Sequence, residues 1–214
     1  MGKRVAEERY IQHHNIAELK QARITPSNLL QAIQHCYDTL DLIDEQLLIN
    51  QTPVLSSTVE LANLSSIVGN LLATGLEKYS LGELRKNKPH TYPDLLYKER
   101  QETGVEIKVA LEKNKPKGHL PKEGLYLTFR YVLTEFDGSY TKGQNNRGNT
   151  VTIWEVKVGY LTNDDFDISD TAGDSGKTAT IKTDVLNKKL KLIYFNPDAV
   201  PYLHYEHKPY VGYN

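Results

Sequence analysis

A chain of 214 residues, 39% hydrophobic and 25% charged, is long enough for one sizeable core and has the balance of a globular protein. It has no run near the ~20 apolar residues a bilayer crossing needs, no apolar stretch behind its charged N-terminus and a lone Cys36. These features exclude a membrane span, a secretory leader, an intrachain disulfide and a cysteine-built zinc site, and the expected setting is cytoplasmic.

The net charge of −1 argues against a protein that coats nucleic acid by bulk electrostatics. It leaves room for a local basic groove around an acidic site. Lys113, Lys115, Lys117, His119 and Lys122 face only Glu112 and Glu123 between Lys108 and Arg130. A solvated loop is the plain alternative for that cluster.

The first half predicts helices. Thr25-Pro26 offers a cap and a proline at the first helical position. Leu29, Ile33, Cys36, Leu40, Ile43 and Leu47 then recur at spacings of four and three, up to Asn50-Gln51-Thr52-Pro53. Ser57 to Glu60 has the form of a capping box opening a second helix, with Leu61, Leu64, Val68, Leu71, Leu72 and Leu76 as its apolar side. Residues before Arg23 also read as helical. After Gly82 the period becomes that of strands: 92–97, 104–111, 124–133, 150–161 and 190–195. Polar segments at 134–149 and 163–178 interrupt them. The whole reads as one α+β domain, residues 1–80 mainly helical and 82–200 a mixed, mainly antiparallel sheet with long loops.

One stretch carries chemistry. Pro93-Asp94 is followed, after eleven residues, by Glu106-Ile107-Lys108. Val105, Ile107 and Val109 alternate with Glu106 and Lys108, so the two charged side chains share one face of a strand. An antiparallel turn-back over 98–103 would set Asp94 beside Glu106. Two hard oxygen donors and an ammonium suit a Mg²⁺ site for phosphodiester hydrolysis, with the Ile107 carbonyl as a further ligand. Lys108 would orient or deprotonate the attacking water, or stabilise the transition state. A divalent cation would offset the repulsion of the paired carboxylates.

Pro93-Asp94 and Glu106-Ile107-Lys108, with Lys117-Gly118-His119 leading into the next strand, resemble the PD-(D/E)XK nuclease superfamily and its type II restriction endonucleases. The resemblance covers about residues 60–133. It implies a restriction-endonuclease-like core, with Asp94, Glu106 and Lys108 catalytic and Glu60 an extra metal ligand, against a plain capping role for Glu60. It also implies Mg²⁺-dependent cleavage of double-stranded DNA at a short site by a homodimer, with helix 26–50 a candidate interface. Lys115, Lys117, His119, Asn145, Asn146, Arg147, Lys177 and Thr178 are candidate DNA contacts. The superfamily's helix between its third and fourth strands has no clear counterpart at 133–150. Either it falls at 180–189 or a loop replaces it.

A repair, recombination or mobile-element nuclease of the same superfamily is the enzymatic alternative, and a non-catalytic DNA-binding module the other. Glu155-Val156-Lys157 repeats the acidic-x-Lys pattern without a Pro-Asp upstream and reads as a cross-strand charge pair. Gly173 to Thr178 lacks the Gly-x-x-x-x-Gly-Lys spacing of a phosphate loop, so nucleotide binding there is rejected.

Overall fold

Thr25 opens the longest helix as its residue type predicts. In the computed structural model, which describes residues 4–169, 177–203 and 207–214, its side chain accepts from the Asn28 amide at 3.1 Å and the Asn28 side chain accepts in return at 3.0 Å. This helix, α2 (Pro26–Ile49), follows a short α1 (Ile16–Gln21). Among the described residues before α1 there are 3-10 turns at Glu8–Tyr10 and His13–Asn15 and an isolated bridge from Ile11 to Tyr194. Gln51, at φ 58°, turns the chain out of α2.

The capping box expected at Ser57 does not form. Residues Leu55–Thr58 make a single turn, α3, whose first amide donates to the buried Asp44 carboxylate at 2.7 Å. Glu60 is the N-cap of α4 (Leu61–Tyr79), with no side-chain cap bond.

The strands are β1 (Leu84–Lys86), β2 (Leu95–Tyr97), β3 (Arg100–Leu111), β4 (Lys117–Gly118), β5 (Gly124–Thr134), β6 (Thr150–Leu161), β7 (Phe166–Ser169), β8 (Thr178–Ile181) and β9 (Lys191–Phe195). The main sheet runs β1-β2-β3-β5-β6-β9, and β4-β8-β7 form a smaller one. Of the main-sheet pairings only β3 with β5 is parallel. The fold is therefore α+β with a mixed, mainly antiparallel sheet.

A parallel pair needs a crossover of about a dozen residues. Here residues 112–123 provide it without a helix, passing through β4 in the small sheet. Residues 134–149 hold a lone 3-10 turn, and 185–189 one π-helical turn. A loop thus stands where the sequence left the choice between a loop and a later helix.

Both faces of the main sheet are covered. On one, Val105, Ile107, Leu111, Leu127, Phe129, Tyr131, Ile153 and Val156 form one core with α2 and α4. Leu29, Ile33 and Cys36 of α2 are wholly enclosed in it. The apolar stripe offered as a dimer interface is consequently core. The apolar side chains α2 leaves exposed are Leu42, Leu48 and Ile49, towards its C-terminal end. Among the described residues no helix is long and apolar enough to cross a membrane.

The other face carries Tyr126, Thr128, Arg130, Glu155 and Lys157, under the small sheet and the C-terminal segment. Buried polar groups must find partners, and here they do. Arg130 and Glu155, opposite each other across β5 and β6, make a two-pronged pair at 2.6 and 2.5 Å, both fully buried. Tyr210 donates to Glu155, Arg130 donates to the Tyr202 hydroxyl at 2.8 Å, and Lys157 donates to the carbonyls of Leu186 and Gly212.

Burial alone would raise the Glu155 carboxyl, but Arg130 and Lys157 bring it below its ordinary value. Burial lowers Lys157 to about 8 against the pull of Glu155. Glu155 of the second acidic-x-Lys is thus one half of a buried cross-strand ion pair with Arg130, and the motif's position is structural.

Candidate active site

Asp94 stands just before β2, and Glu106 and Lys108 stand on β3. The register Leu95↔Val105 brings the first two side by side. They interlock: the Asp94 N–H donates to Glu106 Oε2 at 3.1 Å, and the Ile107 N–H donates to Asp94 Oδ2 at 2.8 Å. Lys108 Nζ donates to Glu106 Oε1. The turn-back read from the sequence therefore forms and brings Asp94, Glu106 and Lys108 to one sheet edge.

The backbone of Ile107 adds to this group. An extended residue sends its N–H and C=O to the same side of the strand, and the Ile107 N–H goes to Asp94. Its carbonyl therefore opens towards the same edge.

Glu106 is only 6% exposed. Burial raises its carboxyl above the ordinary 4.5 and the charge of Asp94 raises it further, while Lys108 pulls it down. A hard divalent cation fits this donor set, because it would neutralise two like charges that otherwise oppose each other. Among the described residues no three His, Cys, Asp or Glu side chains gather in a metal-holding arrangement. The ligands on offer are therefore Asp94, Glu106 and the Ile107 carbonyl, with water or phosphate for the rest.

The sign of the Glu106 shift gives a stability prediction. A carboxyl held above its unfolded value weakens the fold as pH rises through that window, and the penalty is complete once pH is above the folded-state value. Glu106→Gln should then raise the metal-free melting temperature once the native carboxyl is ionised, because the amide removes the buried like charge beside Asp94. The gain should vanish below pH 4.5, where both states are protonated. Thermal melts in EDTA across pH 4–8 check it; a less stable variant at pH 7 would contradict the assignment.

The other sequence-derived candidates divide. Gly69 of α4 lies against Val109, which points away from the Glu106 face. Glu60, at the start of α4, therefore belongs to the helical layer across the sheet from Glu106. Its assignment as a further ligand is corrected: it caps a helix on the wrong side.

Lys117 and His119 are exposed beside the site, since Gly118 between them packs against Lys108; a Cβ there would meet Lys108 Cε at 3.3 Å. Thr178 is on the same side, because Ala179 pairs with Gly118. Lys177 precedes it and is exposed, and Lys115 pairs with Asp167 at 3.5 Å. The phosphate-loop-like segment 173–176 lies outside the described residues.

Asn145 and Asn146 are exposed but far off, on the loop leaving the opposite end of β5 from Tyr126. From Tyr126 to the Thr134 end where that loop begins, β5 runs eight residues, roughly 26 Å at ~3.3 Å per residue. Arg147, on the same loop, is held by Glu112 at 2.7 and 3.1 Å.

Sequence reasoning passed over two tyrosines. Tyr126 is the register partner of Glu106, and Tyr92 is two residues from Asp94. Burial and then the Glu106 charge push Tyr92 up to about 12, and burial and Tyr92 push Tyr126 up as well. The alternation of Tyr126 with Leu125 and Leu127 was the available signal. No family model matches the chain, and no curated protein sequence matches it.

Proposed function

We propose that the protein is a Mg²⁺-dependent endonuclease of the PD-(D/E)XK kind, acting on double-stranded DNA. The observation that carries this reading is the interlocked Asp94–Glu106 pair with Lys108 on the same sheet edge. Asp94, Glu106 and the Ile107 carbonyl would hold the cation. When bound, it would lower the pKa of an attacking water and offset charge on the phosphate.

Asp94 is fixed by the Ile107 amide, so its second oxygen is left to the cation. Lys108, steadied by Glu106 and by the close approach of Gly118, is set to orient or deprotonate the attacking water, or to stabilise the transition state. Lys117, His119, Lys177 and Thr178 border the same edge and suit phosphate or base contacts.

The finer reading is a type II restriction enzyme acting at a short two-fold site, for which a two-fold homodimer is the matching partner. Incubation with phage DNA and Mg²⁺, followed by sequencing of the ends, tests it. Discrete ends sharing one short sequence support a restriction enzyme, and scattered or structure-dependent ends support a repair or excision nuclease. An intact substrate with Mg²⁺ and Mn²⁺ would overturn the catalytic reading and leave a DNA-binding module.

A further inference from the structure

The crossover between β4 and β5 is tied down beside the acidic pair at several points. The Tyr92 hydroxyl donates to the Glu123 carbonyl at 2.8 Å, and the Tyr126 hydroxyl donates to the Lys122 carbonyl at 2.8 Å. Residue 124 is glycine where any Cβ would collide with the Tyr92 hydroxyl. The Lys122 ammonium lies over the Tyr92 ring, 4.7 Å from its centre. Glu123, the adjacent acid, accepts from the Tyr160 hydroxyl at 2.9 Å.

A flexible lysine on a loop would ordinarily lose its order to solvent, since holding one long side chain costs rotamer entropy. This one is fixed by a ring that is itself anchored next to Pro93-Asp94. Lys108 is engaged by Glu106, whereas among the described residues the Lys122 ammonium meets an aromatic face and no carboxylate, so a phosphate could draw it away cheaply.

Resting on the nuclease reading above, we propose that Lys122 contacts a backbone phosphate beside the one cleaved, with Tyr92 and Tyr126 as positioning residues. The ligand class is the phosphodiester backbone, so the contact is blind to sequence.

The test is duplex binding in Ca²⁺ over a salt series, with cleavage in Mg²⁺ alongside. Lys122→Ala should weaken binding to specific and random duplexes equally, and make the slope of log K against log salt shallower by about one. Lys122→Arg should restore the slope, and Tyr92→Phe, which keeps the ring but frees the Glu123 carbonyl, should fall between. A purely structural role for Lys122 would leave the salt slope unmoved. An unchanged slope in a protein that cleaves DNA overturns this proposal alone. A wild-type protein that neither binds nor cleaves DNA overturns it together with the nuclease reading.

Discussion

Asp94→Ala and Glu106→Gln are each expected to lower Mg²⁺-dependent cleavage by at least about a thousandfold, and Lys108→Ala by ~10²–10³, the scale of losing one preorganised charge contact. Two carboxylates on adjacent strands can hold a hard cation that one cannot. Asp94→Ala also releases the Ile107 amide, so the β2–β3 edge loses an anchor as well as a ligand. Glu106→Gln is the cleaner variant, because amide and carboxylate are isosteric and the metal-free fold should gain stability. Single-turnover cleavage at several Mg²⁺ concentrations, beside gel shifts in Ca²⁺, measures both effects. Retention of most activity by Asp94→Ala would sink the site.

The second acidic-x-Lys strand should respond in the opposite way. Glu155→Gln or Arg130→Met leaves one fully buried charge without its partner, which typically costs 3–5 kcal/mol, or about 6–20 °C in melting temperature. Glu155 is also the acceptor for Tyr210, so the C-terminal segment should loosen with it. Combining Arg130→Met with Glu155→Leu and Tyr210→Phe should recover part of the loss, because the Arg130 and Glu155 charges leave together. The buried Lys157 then keeps the Leu186 and Gly212 carbonyls but loses the charge of Glu155. Whatever fraction of Glu155→Gln stays folded should cleave at close to the wild-type rate. A stable but inactive Glu155→Gln beside an active Glu106→Gln would mean that the wrong strand was chosen.

These two strands show where local pattern stops. Glu106-Ile107-Lys108 and Glu155-Val156-Lys157 are equivalent in alternation and charge, and only the upstream Pro-Asp distinguished them in the sequence. In the structure the distinction is one of cross-strand neighbours. Glu106 faces Asp94 at the point where β2 gives out, and Glu155 faces Arg130 in the middle of the sheet. The small sheet was equally hard to read. Lys117–Gly118 is two residues long, and its pairing with β8 depends on a chain segment more than fifty residues away.

The sequence by itself determined the helix 26–49 with its Thr25 cap, the strands 124–134 and 150–161 to within a residue, and the hairpin that joins Asp94 to Glu106 and Lys108. Each follows from local rules: capping chemistry, helical or strand period, and a turn of a few residues. Only the tertiary structure decided that the α2 stripe is core, that Glu60 lies across the sheet from the site, and that Arg147 is engaged by Glu112. It also decided that Tyr92, Tyr126 and Lys122 border the acidic pair. The physical reason is that these depend on which face of which layer is covered, and on the partner a side chain meets there. Such partners come from distant parts of the chain, where no period or spacing records them.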